Sequence, residues 1–179
     1  MTRIAVVSDT HVPSREDAIP AWVRERVRAA DHVVHAGDFD SPDAYDTVAD
    51  LAADLTAVTG NVDPTSLDLP EVATLAVEGV RFVVTHGTAR SSEAYVATIT
   101  ETVESELDGE GVAIAGHTHD LADDEIAGVR FLNPGSATGA PPAKRATMLT
   151  VEVEDGEVAV TAYEDDEEVE IAGNGGGPA

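Results

Sequence analysis

The sequence predicts an α/β domain whose first half is a parallel β-α-β-α-β unit and whose second half is rich in antiparallel strands. Three observations predict it. Short β-branched runs alternate with amphipathic, helix-length segments up to residue 61. Paired apolar runs separated by glycine-containing turns dominate after residue 72. The chain of 179 residues is long enough for one core, which buries roughly 70% of the unfolded surface, and it shows no internal repeat.

Residues 3–9 (RIAVVSD) read as a buried strand. Residues 18–30 have helical spacing, with Ile19, Trp22, Val23 and Val27 on one face. A second strand over 32–38 ends in Gly37-Asp38. The helix over 41–53 has Ser41 as N-cap and Pro42 at its first position, and a third strand over 55–61 ends in Gly60-Asn61. Residues 72–87 are two strands around Glu78-Gly79, and 91–107 is a helix capped near Ser91 or Ser92. Residues 111–119 form a strand that ends in GHTH, 125–133 a hairpin at Gly128, and 146–164 a hairpin around Asp155-Gly156. The expected domain is therefore 1–164. The acidic, then glycine-rich segment 165–179 is expected to be disordered.

Composition narrows the function. Ten Lys plus Arg stand against 35 Asp plus Glu, for a net charge of −25, and Lys144 is the only lysine. Phosphate contacts need a basic surface, so no nucleic-acid surface is expected. No apolar run approaches the ~20 residues that span a bilayer, and Asp9 and His11 cut short the apolar start of the chain, so the expectation is a soluble, cytoplasmic protein. Acids spread along the whole chain with almost no lysine also predict adaptation to molar salt, where charges are screened over ~3 Å. With no cysteine, any metal must be held by His, Asp, Glu or Asn.

The apolar runs stop at donor groups: Asp9-x-His11, Gly37-Asp38, Gly60-Asn61, His86 before Gly87, and Gly116-His117-x-His119. Ligands of open α/β sheets collect outside the carboxyl ends of the strands. His117 and His119, two apart on an extended chain, are expected to face the same site. Seven donors are too many for one ion, and two ions ~3.5–4 Å apart would share them. Oxygen and imidazole donors without sulfur suit manganese first, with nickel, iron, cobalt or zinc as alternatives, and do not suit calcium.

In order, D-x-H, G-D, G-N-x-D, H-G, G-H-T-H and N-P-G-S, over about residues 3–163, resemble the calcineurin-like metallophosphoesterases, and most closely their small bacterial and archaeal phosphodiesterase branch. The resemblance implies a four-layer α/β/β/α sandwich of two mixed sheets flanked by helices. It implies that Asp9, His11 and His119 hold one metal, that Asn61, His86 and His117 hold the other, and that Asp38 bridges them. Asp38, Asn61 and His117 are then the expected catalytic residues. The implied reaction is hydrolysis of a phosphodiester P–O bond, with a hydroxide between the metals attacking phosphorus in line. The implied partner is a small phosphoester substrate, and relatives are often homo-oligomers. Where many relatives read Gly-Asn-His-Asp, this chain has Val62, which leaves no proton donor for poor leaving groups.

Other residues read more plainly. His32 is expected to face solvent, and His35 to orient a metal ligand by a hydrogen bond. Asp63 is a solvated turn acid or a support for the site. The 133–136 loop is either a tight turn or, on the family reading, lies beside the site mostly through its backbone. Thr10, Thr118 and Arg90 are candidate phosphate neighbours. Two alternatives stand beside the diesterase: a phosphomonoesterase, and a non-catalytic scaffold like the retromer subunit that shares the fold.

Overall fold

The computed structural model describes residues 1–172, among which lie eleven strands and three α-helices. In chain order these are β1 (Thr2–Val7), α1 (Ala21–Ala29), β2 (His32–His35), α2 (Pro42–Leu51), β3 (Leu55–Ala57), β4 (Val72–Val77), β5 (Val80–Thr85), α3 (Ser92–Glu106), β6 (Val112–Ala115), β7 (Leu121–Ile126), β8 (Val129–Pro134), β9 (Thr147–Glu154), β10 (Glu157–Glu164) and β11 (Glu167–Val169). A short 3-10 turn, Thr65–Leu67, was not legible in the sequence.

Two mixed sheets form, in the orders β11-β10-β9-β1-β2-β3 and β4-β5-β6-β8-β7. Strands β1, β2 and β3 are parallel, as are β5, β6 and β8. The β4–β5, β7–β8 and β9–β10 hairpins supply the antiparallel flanks, with β9 also antiparallel to β1. The sheets stack face to face, with α1 and α2 outside the first and α3 outside the second, which gives the expected four layers.

The two-residue strand period sets the layering. On β1, Ile4 and Val6 point between the sheets with Val34, Phe82, Ile114 and Leu149. Ala5 and Val7 point outward against Val23, Val27 and Val48 of the helices. Behind the second sheet, Tyr95, Ile99 and Val103 of α3 cover Val83, Ala113 and Phe131. Capping follows the sequence: Ser41 and Ser91 side chains accept from Ala44 N and Ala94 N, each at 3.1 Å. Helix α1 starts later than expected because Pro20 is extended (ψ 146°) and disfavours helix at Ile19.

The expected end of the domain at residue 164 is corrected by β11, which pairs with β10 from Ala162↔Val169 to Glu164↔Glu167. Asp165 (φ 47°) and Asp166 (φ 76°) form the left-handed two-residue turn of a tight hairpin. Val169 and Ile171 then pack on the inter-sheet core. Arg145 binds Asp165 at 3.0 Å, and Arg26 pairs with Asp166. Acidic composition hid this alternation. Residues 173–179, the rest of the segment expected to be disordered, lie outside the described residues. Among the described residues no helix is long and apolar enough to cross a membrane.

Candidate metal centre

The parallel strands β1, β2, β3, β5 and β6 end on the same side, and the residues just beyond them meet there. All seven expected donors converge. Two clusters have donor atoms close enough to share an ion: Asp9, His11 and His119, and Asp9, Asp38 and His86. Asp9 Oδ1 lies 3.2 Å from His119 Nε2, 3.7 Å from His11 Nε2 and 4.0 Å from His86 Nε2. Asp38 Oδ2 lies 3.2 Å from His86 Nε2 and 3.6 Å from His11 Nε2. Asn61 Oδ1 is 3.0 Å from His86 Nε2 and 3.1 Å from His117 Nδ1.

Three of the histidines are oriented from behind. His86 Nδ1 donates to Ala36 O (2.7 Å) and His119 Nδ1 to Ala140 O (2.8 Å), while His117 Nε2 lies against the Ala89 backbone, 2.8 Å from its O and 3.2 Å from its N. Committing one ring nitrogen as donor leaves the other as a lone pair, the arrangement usual for metal-binding histidine. His119 Nε2 and His11 Nε2 then face each other at 3.2 Å. Asp9 Oδ1 is fully buried and has no hydrogen-bond partner. Acceptors converging around a buried, unpartnered carboxylate oxygen make a hole for cations, so the residues present fit divalent metal ions.

Electrostatics agree. Burial pushes the Asp9 carboxyl up, but the imidazoles of His11 and His119 outweigh it and hold the group below the usual carboxylate range. Burial likewise opposes ionisation of Asp38, and His86 and the Val62 N–H bring it below its ordinary value. Desolvation lowers His86 and His119, yet Asp38 and Asp9 beside them bring both above the ordinary histidine value. Two buried carboxylates demand positive charge, whether imidazolium or metal.

The backbone at the site departs from the sequence expectation. The strands end before their donors, and Asp9, His11, Asp38, His117 and His119 all adopt positive φ, between 47° and 72°. His117 and His119 therefore do not face one site from an extended chain. A turn with Thr118 N bonded to Gly116 O (2.9 Å) sends His119 toward Asp9 and His11, and His117 toward Asn61. Left-handed Asp and His are uncommon, and such positions cost about 1–3 kcal/mol each. The glycines just before Asn61 and His117 have a steric reason. A Cβ on Gly60 would run into the Asp38 carboxylate, and one on Gly116 into Ser8 Oγ.

Several residues support the donor loops from behind. Asp63, read from the sequence as either a solvated turn acid or a support, is the support: it accepts four backbone N–H groups, from Asp38 (2.9 Å), Phe39 (2.7 Å), Asp40 (3.0 Å) and Gly60 (2.7 Å), and so ties two donor loops together. Ser8 Oγ donates to Asp9 Oδ2 at 2.6 Å. Tyr95 Oη, buried under α3, donates to Gly116 O at 2.8 Å. The 133–136 loop does lie beside the site, but it works through side chains: Asn133 Nδ2 donates to Gly116 O (3.0 Å) and Ser136 Oγ to Asp9 O (2.8 Å).

His35 touches no donor side chain. Its Nδ1 accepts from Gly37 N (3.1 Å) and its ring stacks on Phe39. Nε2 contacts Thr10 Oγ1 (3.3 Å), which donates to Asp38 O. His32 is held between Thr56 and Asp54 rather than facing solvent freely. Arg90 is exposed next to Ala89, which holds the His117 ring.

Comparison with known proteins agrees with this geometry. The family model described as the calcineurin-like phosphoesterase superfamily domain matches residues 2–156. A probable metallophosphoesterase of Methanothermobacter thermautotrophicus is 35% identical over 75% of this chain and 77% of its own. One of Methanocaldococcus jannaschii is 31% identical over 85% of this chain and 76% of its own. Among solved structures, Vps29 of Entamoeba histolytica is 28% identical. A single mutant superposes with a TM-score of 0.76 over 93% of this chain and 98% of that one. The wild type complexed with Zn²⁺ gives 0.74 over 90% and 92%.

Proposed function

This chain belongs to the calcineurin-like phosphoesterase superfamily, and from that premise we propose that it is a phosphodiesterase dependent on two divalent ions. The observation that carries the reading is Asp9 Oδ1, a buried oxygen without a hydrogen bond, ringed by imidazole nitrogens. We assign Asp9, His11 and His119 to one ion and Asn61, His86 and His117 to the other, with Asp38 shared. Manganese suits the donors, as do nickel, iron, cobalt and zinc. When bound, such ions neutralise phosphoryl oxygens and lower the pKa of an attacking water.

The chain's own residues hold this arrangement. Val62 N–H donates to Asp38 Oδ1 at 3.0 Å and fixes the shared carboxylate from one side. Asp63 fixes its backbone from the other. The carbonyls of Ala36 and Ala140 keep the ring protons of His86 and His119 pointed away from the centre, and the Ala89 backbone holds the His117 ring in place. Val62 is 37% exposed and its side chain has no transferable proton. Substrates whose leaving group departs as a stable anion are therefore favoured. A monoester dianion meets the negative field of a −25 chain more strongly than a diester monoanion does.

The likeness to Vps29 favours a second reading, a binding scaffold. A metal-by-substrate screen at molar KCl separates the two. The diesterase reading expects bis(p-nitrophenyl) phosphate to turn over faster than p-nitrophenyl phosphate, with activity removed by chelation and restored by manganese. No turnover with any of these metals, in protein shown to hold two ions, would favour the scaffold.

A further inference from the structure

Two cavities of unlike character border residues of the centre. On one side His86 and Asn61 line a space of about 350 Å³ together with Glu71 and the hydroxyl residues Thr59, Thr88 and Thr98. On the other, His119 lines a second space of about 350 Å³ together with Lys144, Arg145, Asp120 and Glu164. The first contains a carboxylate and no cation. The second contains the only lysine of the chain.

Charges in the second cavity are not equivalent. Arg145 is committed, with Nε 3.3 Å from Glu164 and a terminal nitrogen 3.0 Å from Asp165. Among the described residues no carboxylate stands within ion-pair reach of Lys144, which is exposed. Arg15 backs the same loop by donating to Pro141 O at 2.7 Å. Three of the ten cations thus gather on the His119 side of the centre, within a chain carrying 35 acids.

Resting on the phosphoesterase reading of the centre, we propose that the cavity beside His119 is a subsite for a second phosphate on the substrate, with Lys144 as its specificity-determining contact. The substrate class is then a phosphodiester with a further phosphate on one arm and a neutral, hydroxylated or cationic group on the other. The cationic arm would lie toward Glu71. A lysine ammonium is a mobile point charge with three donors, suited to a phosphate whose distance varies between substrates.

The test is equilibrium binding to manganese-loaded protein of two non-hydrolysable probes, propylphosphonate and propane-1,3-diyl bisphosphonate. Both offer one phosphonate to the centre, and the second adds a flexible anionic arm. In wild type the bisphosphonate should bind about five-fold more tightly than the two-fold statistical gain, the scale of one partly exposed ion pair. K144A should remove that preference, K144R should keep most of it, and E71Q should leave it in place. An equal preference in wild type and K144A, or a preference lost in E71Q and kept in K144A, overturns the proposal. Turnover of bis(p-nitrophenyl) phosphate reports separately on the diesterase reading. Its absence alongside an intact, Lys144-dependent preference would overturn that reading and leave the subsite standing.

Discussion

Replacing Asp63 tests whether the centre depends on a residue that touches none of its donor side chains. The Asp63 carboxylate accepts from Phe39 N and Asp40 N on Oδ1, and from Asp38 N and Gly60 N on Oδ2. A hydrogen bond to a charged group contributes about 1.5–3 kcal/mol net. Asp63 is only half-buried, so water would recover part of that after truncation, and D63A should cost about 2–4 kcal/mol. D63N is the sharper variant. Asparagine keeps the shape but has one accepting oxygen, so its NH₂ must face two of the four N–H donors. It should therefore be no better than alanine. Urea denaturation of the metal-free protein at fixed salt measures the stability, and manganese titration reports whether Asp38 remains in place. D63N within about 0.5 kcal/mol of wild type, with unchanged metal affinity, would refute the reasoning.

Four further outcomes are expected. D38A should abolish activity and lower bound metal below that of H86A, and two tightly held ions in D38A would exclude a shared carboxylate. Burial lowers His35 to about 3 from its ordinary 6.5. The folded state thus keeps it neutral while the unfolded chain protonates, and stability should fall as pH drops below 6.5, by up to about 1.4 kcal/mol per pH unit. H35Q should flatten that slope, and equal slopes in both proteins would contradict it. The melting temperature should rise markedly between 0.1 M and 1 M KCl as the screening length shrinks from ~10 Å to ~3 Å, and a flat response would exclude salt adaptation. V62H should raise rates selectively for poor leaving groups if a general acid, typically worth ~10²–10⁴-fold, is what position 62 lacks. An unchanged dependence of rate on leaving-group pKa, with both metals bound, would locate the missing acid elsewhere.

The convergence of these residues was legible because of where they stand. Asp9, Asp38, Asn61, His86 and His117 follow short β-branched apolar runs that read as strands, and the ends of parallel strands meet on one side of a sheet. What surrounds them was hidden for different reasons. Tyr95 sits on the apolar stripe of α3, and helical spacing does not say that its hydroxyl reaches Gly116 O. The role of Asp63 lies in backbone N–H groups more than twenty residues away, which no side-chain pattern marks. The turn that separates His117 from His119 is a left-handed departure stabilised by Asn133 and by Asp9 Oδ2, which accepts His117 N at 3.0 Å. Strand β11 was obscured because glutamates fill its exposed positions, leaving Val169, with Ile171 just beyond it, as the only apolar marks.

The donor loops come from both sheets: Asp9, His11, Asp38 and Asn61 follow strands of the first, and His86, His117 and His119 follow strands of the second. An ion held between them would therefore also be a cross-link, in a chain that has no disulfide to serve as one. It would close the long loop of chain from Asp9 to His119, and closure of a long loop removes more entropy from the unfolded ensemble than closure of a short one. The same contacts that position a phosphoester would keep the two layers in register. Amides at the seam between the sheets, on β1 and β6, should then exchange with solvent more slowly in the metal-loaded protein, while those on the outer hairpin β9–β10 keep their rates.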